Sequence, residues 1–280
     1  MASVNSPIRK FVKPFFYKLL GRKGYKYVQA RAKIRDIEQR LVEEKEMILL
    51  PHFINEGDSV IDLGANYAYY IERMSKLVGD AGKVYGFEPI PFTYEVCDLI
   101  INKLGFKNVE LFPYASGNKN EDLEFRVPKL DFGGISAGQS HLAIRNNEME
   151  GKENYYSFQD EEIVKCKSVT IDDFLLPKLK GLSFVKIDIE GAEYFSLQGM
   201  VNTLKKFKPV ILVEIQPFFL KGMGVEESDL IKLLTEQLGY KIFALKNGEE
   251  KLYKVQGALW DDNYILIHCD AVESFQEIMQ

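Results

Sequence analysis

Three short apolar runs, "SVIDLG", "KVYGFE" and "NVELF", recur between residues 59 and 112 with room for one helix after each of the first two, and this alternation constrains the chain more than any other feature. The intervening stretches, residues 68–78 and 92–104, read as helices, so the unit is strand, glycine-containing turn, helix, repeated. Strands joined in this way run parallel and are wrapped by right-handed crossovers. The pattern resumes with "SFVKIDIE", a helix over 192–206, "PVILVEI", a helix over 226–238, "YKIFAL" and a final strand "NYILIH". Between the two blocks lies an irregular region, 117–182, rich in Gly, Asn and charge. Its segments "LEFRV", "FGGISAGQSH" and "IVKCKSVTIDDFL" predict short strands and a mobile substrate-side loop inserted in the sheet order.

The chain has 280 residues, 46% of them hydrophobic, which is enough for one sizeable core with a modest extension. We divide it into an N-terminal helical extension, residues 1–50, and one α/β domain, residues 51–280, carrying the 117–182 insertion. A net charge of −5 hides an asymmetry: residues 1–35 hold ten Lys/Arg and no acid, so the remainder carries 26 basic against 41 acidic residues, or −15. An acidic main body argues against nucleic acid as a partner. Cys97, Cys166 and Cys269 are widely spaced and form no C-x-x-C pair, as suits a reducing compartment rather than a disulfide framework or zinc site. No apolar run approaches the ~18 residues of a membrane span. These features predict a cytoplasmic protein.

The basic, aromatic preface predicts a short helix from Pro14 closed by Gly21, then a second from about Tyr25 to Leu50, where Ile34, Ile37, Leu41, Val42 and Ile48 recur at helical spacing. It has two readings. One is a helix pair packed on the domain; the other is a surface that touches an acidic partner or the anionic lipid of the inner membrane face.

In an open parallel sheet, ligands bind beyond the carboxyl ends of the strands. The sequence places an acid there four times: Asp62, Glu88, Asp188 and Glu214. Carboxylates gathered in one cleft repel one another unless a cation or a hydroxyl-rich ligand sits among them. In the first turn, "DLGANYAYY", Gly64 permits close backbone approach, but the G-x-G-x-x-G that cradles a pyrophosphate is missing. Glu88, 24 positions beyond Gly64, lies near the spacing at which an acid takes ribose hydroxyls. A nucleoside with a cationic, phosphate-free tail fits this pattern, and S-adenosyl-L-methionine is such a ligand.

The segments "VIDLGANYAYY", "GFEPIPFTYEVC", "TIDDFL" and "VKIDIEGAEYFSLQGM" resemble, in order and spacing, the motifs of the FkbM family of S-adenosylmethionine-dependent methyltransferases, over roughly residues 50–270. The resemblance implies a class I methyltransferase (Rossmann-like) α/β fold: a seven-stranded sheet of order 3-2-1-4-5-7-6 with the last strand antiparallel. It also implies O-methylation of hydroxyls on a glycan, glycolipid or secondary metabolite. By motif, Asp62, Gly64, Ala65 and Asn66 would line the methionine side of the cofactor, Glu88 would hold the ribose, and Tyr114 and Ala115 would meet the adenine. Ala68 departs from the family pattern, which commonly has Gly there.

Within "VKIDIEGAEY" alternation sets Val185, Ile187 and Ile189 on one face and Lys186, Asp188 and Glu190 on the other. Lys186 and Asp188 are close enough to pair, and Glu193 can cap the following helix. Methyl transfer to a hydroxyl needs positioning and a base. Asp188 is the first candidate base, Glu190 the second and His141, whose ordinary pKa suits the task, the third. A divalent cation held by Asp188, Glu190 and Glu214 is a competing account, although no fixed ligand spacing specifies it. N-methylation or carboxyl methylation on the same fold stays open, as does a non-catalytic cofactor-binding or scaffold module.

Overall fold

The computed structural model describes residues 7–130, 134–135, 140–146, 160–246 and 248–280. In chain order the elements are α1 (Pro7–Glu38), α2 (Leu50–Phe53), β1 (Ser59–Leu63), α3 (Tyr69–Val78), β2 (Lys83–Phe87), α4 (Pro91–Leu104), β3 (Val109–Phe112), β4 (Tyr114–Ser116), β5 (Glu121–Pro128), β6 (His141–Leu142) and β7 (Glu161–Val169). Then follow α5 (Ile171–Phe174), β8 (Phe184–Ile187), α6 (Glu193–Gln198), α7 (Val201–Phe207), β9 (Val210–Glu214), α8 (Pro217–Gly222), α9 (Glu227–Lys232), β10 (Tyr240–Leu245), β11 (Leu252–Lys254) and β12 (Asn263–His268).

Eight strands make the main sheet, in the order β3-β2-β1-β8-β9-β12-β10-β11. Counted along the sheet, that is 3-2-1-4-5-7-6 with β11 added on the far edge. β1, β2, β3, β8 and β9 are parallel, while β12 runs antiparallel to both β9 and β10. The order reverses between β1 and β8, so the cleft expected of a doubly wound sheet opens beyond Leu63 and Ile187.

Burial explains why the central strands read as nearly unbroken apolar runs, since both faces are covered. Val60, Val84, Phe184 and Leu212 face one core with α3 and α4; Ile61, Leu63, Val185, Ile187, Ile211 and Val213 face the other. Each such side chain, fully removed from water, contributes about 1.5–3 kcal/mol. Two polar residues interrupt the first face, Asp62 and Lys186, paired in register on adjacent strands.

Several expectations need correction. The strands of the insertion do not enter the main sheet: β4, β7, β5 and β6 form a second, four-stranded sheet, and parts of "FGGISAGQSH" lie outside the described residues. The helix expected over 192–206 is broken into α6 and α7 at Gly199, where a Cβ would stand 1.9 Å from the Gly117 carbonyl oxygen. That contact presses the β4 turn against the helix and admits only glycine. The preface helix begins at Pro7, not Pro14, and Pro14 falls inside it at the cost of one backbone hydrogen bond. Gly21, with φ 61 and ψ 179, breaks its regular geometry where a stop was expected; beyond it the helix ends at Glu38, short of Leu50. Its inner side packs Tyr25 and Ala30 into the core and lies along α4.

Candidate active site

Five successive features of the sheet edge converge on one cavity. Its wall is formed by the β1 turn (Gly64, Asn66), the β2 end (Glu88, Ile90), the β4 strand (Tyr114, Ala115, Ser116), the β8 end (Asp188, Glu190) and the β9 end (Glu214). Leu123, Phe125, Ser140 and Leu142 of the second sheet close it from the side. Apolar walls with a few converging polar groups suit it to a small-molecule ligand.

The β1 turn is held open by backbone geometry. Asn66 and Ala68 both occupy the left-handed region, at φ 45 and 62, and Ala68 directly precedes α3 rather than lying within its first turn. Gly64, at φ 88, has a neighbour where a side chain would be: a Cβ would sit 2.0 Å from the Asp188 carbonyl oxygen. Glycine is therefore required by the crossing of the β1 and β8 ends, whatever ligand binds.

Glu88 is 5% exposed and accepts the N–H of Asn66 on Oε2 and that of Ile90 on Oε1, both at 3.0 Å. Each carboxylate oxygen keeps a lone pair for a hydroxyl in the cavity. Burial pushes its pKa up to about 7, and the two backbone N–H groups offset part of that rise. The Oδ1 of Asn66, on the same wall, is buried without a hydrogen-bond partner.

The acids of "VKIDIEGAEY" divide into distinct roles. Lys186 Nζ is 3.0 Å from Asp188 Oδ2 and 3.9 Å from Asp62 Oδ1, over the Tyr70 ring at 4.7 Å. Burial alone would lower the lysine pKa, but Asp188 and Asp62 raise it, so the ammonium persists. Asp188 remains 36% exposed at the cavity wall. Its burial is outweighed by the Lys186 charge and by hydrogen bonds from Glu214 and Lys186, which hold the carboxyl below the usual range. Glu214 goes the other way, pushed up to about 10 by burial and by the Asp188 charge, so at neutral pH it keeps its proton and donates it to Asp188.

Glu190 has left-handed φ, 56, and its pKa is raised to about 8, by burial first and then by Asp188, against the pull of Arg145. Arg145 Nη1 donates to the Glu190 carbonyl at 2.7 Å and stacks over Phe219 at 4.3 Å. Glu193 is structural: its Oε1 accepts the N–H groups of Ile189 and Gly191, both at 3.1 Å, and so ties the turn to α6.

Of the residues expected at the site, Gly64, Asn66, Glu88, Tyr114, Ala115, Asp188 and Glu190 reach the wall. Asp62 and Ala65 do not: Asp62 is 1% exposed behind the wall beside Lys186, and Ala65 is buried with its N–H given to Phe87. His141 is also misplaced. It lies in β6 between Ser140 and Leu142, which both face the cavity, so strand alternation turns its buried side chain away. Missed in the sequence were Ser140, whose buried Oγ has no hydrogen-bond partner, and the apolar Leu123 and Phe125. Alternation in "LEFRV" carried the signal for the latter pair. For a cation among the acids the geometry offers little: among the described residues, only His268, Cys269 and Asp270, on β12 and the turn after it, bring three ligand-type atoms within 4.8 Å of one another.

The cavity suits a cationic nucleoside. Glu88 keeps a lone pair on each oxygen that a diol would fill, Asn66 Oδ1 is without a partner on the same wall, and the acids give the cavity the negative charge that a cationic ligand would offset. The single glycine of the turn, already filled by the Asp188 carbonyl, leaves no phosphate cradle.

The methyltransferase FkbM domain matches residues 62–242, more than half of the chain. The hexuronic acid methyltransferase AglP of Haloferax volcanii is 27% identical over 217 residues, covering 77% of this chain and 74% of that protein. A protein-L-isoaspartate O-methyltransferase of Methanococcus maripaludis is 36% identical over 58 residues, 21% of this chain and 27% of that protein. The chain thus spans about a quarter of the length of that curated relative. A solved FkbM methyltransferase from Methylobacillus flagellatus aligns with a TM-score of 0.46 and 13% identity, over 86% of this chain and 59% of that one.

Proposed function

Because the chain belongs to the FkbM methyltransferase family, whose methyl donor is S-adenosylmethionine, we propose that it is an O-methyltransferase acting on a hydroxyl of a glycan or glycolipid. The observation that carries the reading is the division of the cavity into two poles. Glu88 with Asn66 offers a ribose and amino-acid subsite at one side; Asp188, Glu190 and Glu214 stand at the other, where an acceptor would approach. The relative that matches three-quarters of both chains carries a uronic acid methyltransferase name, which favours a sugar acceptor.

When bound, the cofactor supplies an electrophilic methyl group on a sulfonium. The residues of the chain do the rest. Glu88 accepts the ribose hydroxyls, and Tyr114 and Ala115 with Ile90 flank the adenine. Asp188, kept ionised by Lys186, accepts the hydrogen bond of the incoming hydroxyl and takes its proton as the new bond forms, a contribution of typically 10²–10⁴-fold. Glu214, carrying its proton, holds Asp188 in place through their hydrogen bond. Ser140 Oγ orients the acceptor from the second sheet. Leu123, Phe125 and Leu142 keep water from the reacting oxygen.

Transfer of labelled methyl groups from S-adenosylmethionine to a panel of cell-derived glycans tests the reading. Wild-type protein should label a hydroxyl, and Asp188→Asn should bind cofactor but label at least ~100-fold more slowly. Label found on nitrogen or on a carboxylate would redirect the assignment within the fold. Cofactor binding with no transfer to any class of acceptor would point to a non-catalytic module.

A further inference from the structure

The N-terminal helix carries a surface which the methyl-transfer reading does not use. Tyr25 and Ala30 pack α1 onto the core, yet Phe15, Leu19 and Leu20 are 63%, 65% and 44% exposed. Phe15, Lys18 and Leu19 stand at i, i+3 and i+4, so they share one side of the helix. Lys13, Lys18 and Lys23 are exposed around them, and among the described residues none has a carboxylate partner. Solvent-exposed aromatic and leucine side chains interleaved with unpaired lysines fit a surface that is at once anionic and apolar beneath.

The rest of the helix is tied to the domain. Just beyond it in the helix, Arg22 pairs with Glu162 of β7 at 2.7 Å and lies over Phe92 of α4. Gln29 donates to the Tyr67 hydroxyl at 3.1 Å, one residue after Asn66 of the cavity wall. Ile163, next to Glu162, is itself 51% exposed. These contacts lay the part of α1 beyond Gly21 along the edge of the sheet that carries Asn66, while Phe15, Leu19 and Leu20 stand in the part before it.

We propose that the exposed Lys13–Lys23 segment of α1 docks on an anionic phospholipid surface. Charge complementarity selects this occupant: residues 1–35 carry ten basic and no acidic residues, while the rest of the chain is net acidic and would be repelled. The lysines supply attraction, and Phe15, Leu19 and Leu20 insert at the headgroup boundary. Three apolar side chains make a shallow contact, so binding through this face is reversible. No identity of the methyl acceptor is assumed, although an acceptor carried on a lipid would gain from it.

Co-sedimentation of the full chain with phosphatidylserine–phosphatidylcholine vesicles, against phosphatidylcholine alone, tests the proposal. The wild type should pellet with the anionic vesicles at low salt and be released as salt is raised, because surface charges are screened beyond ~10 Å at 0.1 M. Lys13→Gln/Lys18→Gln/Lys23→Gln should lower partitioning about 100-fold, from ~1 kcal/mol per surface lysine. Phe15→Ser/Leu19→Ser should lower it at every salt concentration. All variants should keep the wild-type melting temperature and affinity for S-adenosylmethionine, since the replaced side chains are exposed. Equal recovery in the supernatant with both vesicle types overturns the proposal. So does a concentration-dependent dimer that Phe15→Ser/Leu19→Ser dissolves without any vesicle binding, since the face would then join two copies of the chain.

Discussion

Lys186→Met removes the one ammonium buried among the site carboxylates while keeping a side chain of similar length. At an effective dielectric of ~20, attraction at 3.0 Å to Asp188 is about 5.5 kcal/mol before desolvation is counted, and Asp62 at 3.9 Å adds up to about 4 kcal/mol in the fraction that is ionised, burial having raised its pKa to about 7. Taking the lysine and Asp62 out of water consumes several kcal/mol of this, so the pair itself adds little net stability. Removing one partner is different, because neither Asp62 oxygen has a hydrogen-bond partner and the acid would be left uncompensated. The expected loss is therefore roughly 3–5 kcal/mol, a large share of the ~5–15 kcal/mol that holds a domain together. Urea unfolding followed by far-ultraviolet circular dichroism at pH 7 reads this directly as a lower midpoint with an unchanged slope. A second readout separates structure from chemistry: without Lys186 the Asp188 carboxyl should rise, and the acid limb of the kcat/KM profile should move to higher pH. A loss under ~1 kcal/mol with an unmoved acid limb would refute the electrostatic account of the turn.

Glu88→Ala should weaken S-adenosylmethionine at least tenfold by calorimetry, because a charged acceptor of two hydroxyls is worth ~1.5–3 kcal/mol. If Asp188 is the base, kcat/KM should be level across neutral pH; a rise toward a limit near pH 8 that Glu190→Gln abolishes would transfer the role to Glu190. His141→Ala, turned from the cavity, should leave turnover within a fewfold of wild type in protein that still folds. The acids Asp62, Glu46, Glu88, Glu190 and Glu193 all have raised pKa values in the fold, so the stability they add by holding protons is present in mild acid and lost as pH rises through about 7–8. Thermal melts of the apoprotein should accordingly fall between pH 5.5 and 8.5, and added cofactor should reduce the drop. Ala68→Gly relieves a left-handed alanine that costs roughly 1–2 kcal/mol, against ~0.4–1 kcal/mol of added chain entropy; a small gain in melting temperature is the expected result.

The main sheet was legible because its strands are covered on both faces, which forces apolar runs whose ends are sharply marked by Asp62, Glu88, Asp188 and Glu214. β11 escaped notice because "LYK" is a short edge strand, with one ladder and little burial to impose a pattern. The second sheet was legible as strands but not as a sheet: pairing of β5 with β7 across the intervening residues is a long-range choice that local periodicity does not encode. At the site, chemistry was readable where backbone position decides it. Side-chain direction in a two-residue strand was not, which is why His141 misled and Ser140 was overlooked. Asp62 shows a different limit. A strand-end acid looks the same in sequence whether it faces a ligand or a buried lysine one strand away.

The second sheet also bears on how this chain could change its acceptor. Its strands meet the main body through β4 and the Gly117–Gly199 contact, and Leu123, Phe125 and Leu142 reach from it to the cavity wall. These three side chains can change size without touching a backbone crossing, whereas a change in the β1 turn meets the Asp188 carbonyl at once. Gly64 and Gly199, by contrast, tolerate not even one methyl group. Acceptor range in descendants of this chain should therefore drift by exchange at Leu123, Phe125 and Leu142, with the methyl-donor half inherited nearly unaltered.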